Sequence, residues 1–216
     1  MLSNHQLRYN ARWRLGNSIF RSAWLNMLCV CAVLPVSSAL FAATGYGILL
    51  AFIVAGALQF GIARVTTSCA RGRGWGVSQV FCAFDSNFVK TLVMNLVYSI
   101  FIFLWSLLLI IPGIIKSYSY AMVYYLQQEP ENIHREPVDL ITESRQWMDG
   151  YKWKLFCLDM SFIGWYLLGL LCLGVGILFV MPYHQLARAN FYLELRAERE
   201  GRSAFELGEP FEVNNV

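Results

Sequence analysis

This chain has little charge. Asp, Glu, Lys and Arg make up 14% of its 216 residues and hydrophobic residues 57%, whereas a soluble domain carries about 25% charged residues. None of those four types occurs between Arg21 and Arg64, between Lys90 and Lys116, or between Asp159 and Arg188. Each gap exceeds the roughly 20 residues a spanning helix needs, so the pattern argues against a water-soluble domain and predicts a polytopic membrane protein. The net charge of +3 is small and no basic stripe with interleaved aromatics occurs. No nucleic-acid partner is therefore expected.

Signatures of chemistry are also lacking. The chain has no His-Glu-x-x-His, no Gly-x-Ser-x-Gly and no Gly-x-x-x-x-Gly-Lys-Ser/Thr, nor a loop long enough for a soluble catalytic domain, and it reads as a non-enzyme. Of six cysteines, Cys29, Cys31, Cys157 and Cys172 sit inside apolar runs, where cysteine behaves as a small hydrophobe. Cys29 and Cys31 point to different faces of a helix. Cys69 and Cys82 fall in a segment expected to be cytoplasmic and reduced. His5, His134 and His184 have no ligand spacing, so no metal site and no cofactor is assigned. Thr44-Gly45-Tyr46-Gly47 has the residue types of a carbonyl-lined filter, but it joins two apolar runs directly and reads as a turn.

What the chain does have is an alternation of apolar blocks and polar loops. Residues 1–22 read as a cytoplasmic amphipathic N-terminus. Residues 23–195 form a membrane domain with spans at about 23–43, 46–63, 88–111, 114–127, 153–173 and 177–195, and 196–216 form a cytoplasmic tail, a frayed helix followed by disorder. The fold class is all-α: a polytopic bundle of six transmembrane helices in three hairpins with cytoplasmic amphipathic helices. With both termini inside, the basic residues from Arg8 to Arg202 that lie outside the spans fall on the inner face, Lys116 excepted, which sets the orientation.

Pro112 and Gly113 mark a helix break, because proline lacks the amide hydrogen of a continuing helix and glycine readily turns. They place the turn of the second hairpin, and Gly174-Val175-Gly176 that of the third. Val77, Val80, Phe81 and Phe84 share one face and predict a short interfacial helix. Val138, Ile141, Trp147 and Met148 predict an amphipathic surface helix ending at Gly150, and Pro182 a kink in the last span.

Asp159 and Arg188 lie inside predicted spans, where an unpaired ion is costly. Counted from the third turn they differ in depth by about 5 Å, so they are candidates for an intramembrane salt bridge that locks the hairpin register; a proton or ion relay is the alternative. Lys116, just past the second turn, can snorkel to the surface, or contact an acidic ligand or interface. Asn26, Gln59 and Asn95 are candidates for interhelical hydrogen bonds.

Four segments carry a resemblance: Ser106-Leu-Leu-Leu-Ile-Ile-Pro-Gly-Ile-Ile-Lys-Ser-Tyr-Ser-Tyr120, Ser144-Arg-Gln-Trp-Met-Asp-Gly-Tyr-Lys-Trp-Lys-Leu-Phe156, Leu158 to Trp165, and Met181-Pro-Tyr183 with Ala189-Asn-Phe-Tyr192. They cover roughly the second half, and the chain there resembles a family of bacterial integral membrane proteins called domain of unknown function nine-seven-five. The resemblance implies a multi-helix membrane architecture and a bacterial cytoplasmic (inner) membrane location, and brings no activity with it. Asp149 and Gln127-Gln-Glu129 depart from the family's pattern. Two functions compete. One is a non-enzymatic membrane component that binds lipid, with anionic headgroups at the cytoplasmic face, or a membrane protein partner. The other is a small-molecule or ion transporter or channel that uses the polar groups of the last two hairpins.

Overall fold

The computed structural model describes residues 4–15, 26–32, 47–74, 76–84, 88–108, 110–132, 135–171 and 175–201. Most of the span predicted at 23–43, the turn at Thr44-Gly45-Tyr46, His134, Cys172 and the tail beyond 201 lie outside those residues. Among the described residues the regular elements are all helical: α1 (Asn4–Leu15), α2 (Gly47–Ala70), the 3-10 helix η1 (Val77–Phe84), α3 (Phe88–Leu108), α4 (Ile110–Ser119), α5 (Val123–Gln127), the 3-10 turn η2 (Pro130–Asn132), α6 (Pro137–Trp147), α7 (Lys152–Leu171) and α8 (Val175–Glu200). Residues 26–32 are also helical. Two of these segments, Phe88–Trp105 and Lys152–Leu171, are long and apolar enough to cross a membrane.

Pro112 and Gly113, the predicted break of the second hairpin, lie inside a helix. Thr91 Oγ1 accepts a hydrogen bond from Gln127 Nε2 (3.1 Å), the Tyr124 hydroxyl donates to Asn95 Oδ1 (2.8 Å), and Tyr120 meets the rings of Tyr98 and Phe101. These pairs set α3 antiparallel to the returning leg, and Pro112 and Gly113 lie near the start of α4 rather than between helices. A proline is tolerated there because the first amides of a helix have no intrahelical acceptor. The returning leg is also in two pieces, since helix gives way to a turn at Tyr120, Ala121 and Met122. One carbonyl freed by that turn, Ser119 O, accepts a hydrogen bond from Ser144 Oγ of α6 at 3.0 Å, as a buried acceptor must.

In the third hairpin, Val175 and Gly176 are the first residues of α8 rather than the turn. A Cβ on Gly169 would sit 2.8 Å from the backbone of Gly176, so the two helices meet main chain to main chain. Small residues allow this kind of approach between membrane helices. η1 is seated similarly, for a Cβ on Gly61 would fall 1.9 Å from the carbonyl oxygen of Val80. Of the predicted η1 face, Val80 is buried, while Phe81 and Phe84 are turned outward.

α6 buries Leu140, Ile141 and Ser144 with Met148 just beyond its end, whereas Val138 is exposed. Ile141 and Met148 of the predicted face thus point inward and Trp147 packs against the core, while Val138 does not. Gly150 has φ +80° and closes the turn into α7, a conformation that suits glycine. α8 packs against α1, α2 and α7 and continues through the buried Pro182 to Glu200, so Arg196 lies within the helix.

Gly61→Ala is expected to lower the thermal midpoint in detergent by the equivalent of about 1–3 kcal/mol, the usual cost of overpacking. Gly164→Ala, with open space at its Cβ position, should leave the midpoint unchanged or raise it slightly. Parallel melts of the two variants check this.

Candidate functional site

Two clusters of charge are built around α8. In the first, helical spacing puts His184 and Arg188 one turn apart on the face that meets α7. Arg188 Nε donates to Asp159 Oδ1 at 3.0 Å and Arg188 Nη2 donates to Asp159 Oδ2, a bidentate pair. His184 Nε2 lies 2.8 Å from the same Oδ1, and its Nδ1 lies 3.0 Å from the Tyr166 hydroxyl. Tyr118 of α4 is near enough to interact electrostatically with Asp159. The structure thus brings Asp159 and Arg188 together, and it adds His184, which has no ligand spacing in sequence. The Asp159 side chain is 9% exposed and that of Arg188 32%, so the carboxylate is enclosed while the arginine side chain is partly open.

Lys116 stands elsewhere, its ammonium 4.3 Å from the centroid of the Trp105 ring across the second hairpin. That is cation–π geometry. Among the other polar candidates, Asn95 accepts from Tyr124, while Gln59 and Asn26 face outward.

The second cluster is centred on Glu129, which follows α5. Its carboxylate meets Arg71, just beyond α2, at 2.5 Å and Arg196 of α8 at 2.5 Å, and accepts a hydrogen bond from the Tyr192 hydroxyl at 3.0 Å. Arg196 also contacts Glu131 and Glu200. The Tyr192 ring is stacked between Tyr125 and Trp147, with centroids 5.3 and 6.1 Å away. One enclosed carboxylate therefore fastens α2, α5 and α8, while α6 closes the stack. Burial alone pushes the Glu129 carboxyl up, but Arg71 and Arg196 outweigh it and hold the group below its usual range.

A shallow recess of about 300 Å³ on the outer side of α6 is lined by Arg135, Asp139, Thr142, Glu143, Gln146 and Trp147. Arg135 and Glu143 pair with each other there, which satisfies the two most prominent charges. Among the described residues, no group of three His, Cys, Asp or Glu side chains converges on a point that could hold a metal.

A carboxyl with a depressed pKa stabilises the fold above its unfolded value, about 4.3, and loses that contribution as pH falls through the folded value. The melting midpoint is expected to drop between pH 5 and pH 3. Glu129→Gln should lose about 3–5 kcal/mol at pH 7, the cost of breaking an enclosed pair from one side, and should flatten part of the acid dependence. Melts of both proteins at pH 7, 5 and 3 measure it.

No curated protein and no solved structure matches the chain. The family comparison covers the stretch from the last residues of α3 nearly to the end of α8, and so takes in both clusters except Arg71 and Glu200. Residues 107–199 match the family model described as Protein of unknown function (DUF975), the family that the segments between Ser106 and Tyr192 resemble.

Proposed function

We propose that this chain is a multi-pass protein of the bacterial cytoplasmic membrane, with six spans and both termini inside. It acts as a non-enzymatic component that binds anionic headgroups or a membrane partner at its inner face. The observation that carries this reading is the pattern of exposed apolar side chains. Val89, Val93, Leu96, Ile100, Phe103 and Leu104 of α3, Ile114 and Ile115 of α4, and Ile163, Trp165, Leu167, Leu168, Leu170 and Leu171 of α7 are all turned outward. An apolar surface on this scale suits lipid, because each such side chain left in water forgoes about 1.5–3 kcal/mol.

The inner-face reading is supported by Trp153, 72% exposed at the start of α7 and flanked by Lys152 and Lys154. Aromatic and basic residues gather at that depth in membrane proteins. The transporter reading is favoured by one observation, the enclosed Asp159–Arg188–His184 cluster at a helix hairpin, since ionisable groups inside a span often mark a pathway.

Washing membranes with alkaline carbonate is expected to leave the protein in the pellet; release into the supernatant rejects the membrane reading. For the topology, a single cysteine at Gly174 in a cysteine-free background should react with an impermeant maleimide from the outer side of intact cells. One at Gly74 should react only after permeabilisation. The reverse pattern rejects both termini inside.

A further inference from the structure

The geometry points to Arg188 as the anchor of a phospholipid site, taking the phosphodiester of a glycerophospholipid at the seam where α4 meets the α7–α8 hairpin. An arginine carries five N–H donors. Asp159 engages one on Nε and one on Nη2. Among the described residues no partner meets Nη1, and 32% of the side chain is open. Asp159, held in turn by His184 and approached by Tyr118, fixes the plane of the guanidinium. One edge is therefore preset while the other keeps donors to spare, and arginine grips a phosphate with two such parallel bonds.

The surroundings choose the source of the phosphate. Met160, next to Asp159, is 42% exposed, Ile163 43%, and Ile115, one turn from Tyr118 on α4, 50% exposed. A free phosphate has no use for that apolar rim, whereas acyl chains fill it. On the membrane reading Asp159 stands six residues, about 9 Å, along α7 from the interfacial Trp153, a depth at which a long arginine side chain still reaches the inner headgroups. Asp159 is the internal competitor for the guanidinium: it holds Arg188 when no lipid is present, and its second oxygen is the contact a phosphate would weaken.

This inference rests on the membrane reading above. The test uses the full chain in maltoside micelles, which contain no phosphate, with the thermal midpoint followed during titration with phosphatidylglycerol, diacylglycerol of the same chains, or inorganic phosphate. Phosphatidylglycerol is expected to raise the midpoint by about 5 °C near saturation, while the other two leave it in place. An equal shift with diacylglycerol reduces the effect to chain packing and overturns the proposal, and an equal shift with inorganic phosphate overturns the lipid source. Because Arg188→Gln alone strands Asp159, the decisive variant is the double substitution Asp159→Asn with Arg188→Gln, which leaves no unpaired ion. It should fold, remain in carbonate-washed membranes and lose the phosphatidylglycerol shift. If it keeps the shift while staying membrane-bound, the site is refuted and the membrane reading stands; if the wild type itself leaves the membrane, that reading fails first.

Discussion

A charge enclosed among apolar helices has to be neutralised where it stands, and α8 is the element that does this for its neighbours. It carries Arg188 and Arg196, eight residues and about 12 Å apart along the axis. Arg188 holds the carboxylate of α7 and Arg196 the carboxylate that follows α5. Each partner would be costly to strand, since desolvating a lone carboxylate outweighs any single packing contact. Sliding α8 by one turn would break both pairs at once. That shared register makes α8 the spine against which α1, α2 and α7 are set.

Close backbone approach is the second constraint. Gly169 against Gly176 and Gly61 against Val80 bring main chains together where side chains would hold them apart. On the membrane reading, where lipid gives helices no hydrophobic reason to associate, such contacts and the hydrogen bonds they permit do much of the holding. The Tyr192 stack does a related task at the other end, where the ring fills space and its hydroxyl completes the coordination of Glu129.

The charge gaps and apolar runs made the helical character legible, because composition over 20 residues is a strong signal. The Asp159–Arg188 pairing could be argued from depth alone, since a hairpin turn converts sequence distance into height. Its partners were less visible: His184 sits one turn from Arg188, and asking what shares that helix face would have found it. Glu129 gave no local sign, as Arg71 is 58 residues away and Tyr192 63, and such pairings exist only once helices are packed. Pro112-Gly113 misled for a specific reason: proline marks a helix's first turn as readily as its end, and the residues around it do not say which. The turn at Tyr120 to Met122 had no glycine or proline to announce it.

The split between α4 and α5, bridged by Ser144 Oγ to Ser119 O, bears on how the chain is made. A polypeptide emerges from its N-terminus, at about 5–20 residues per second, so the return leg of the second hairpin exists before α6 can supply the missing hydrogen bond. On the membrane reading, Ser119 O has for that interval only water or headgroups to turn to, which favours holding the junction near the membrane surface until Ser144 arrives. Asp159 faces a longer wait, because Arg188 follows it by 29 residues. In a bilayer, α7 and α8 are then best inserted as a pair, and the order of synthesis becomes part of the folding problem.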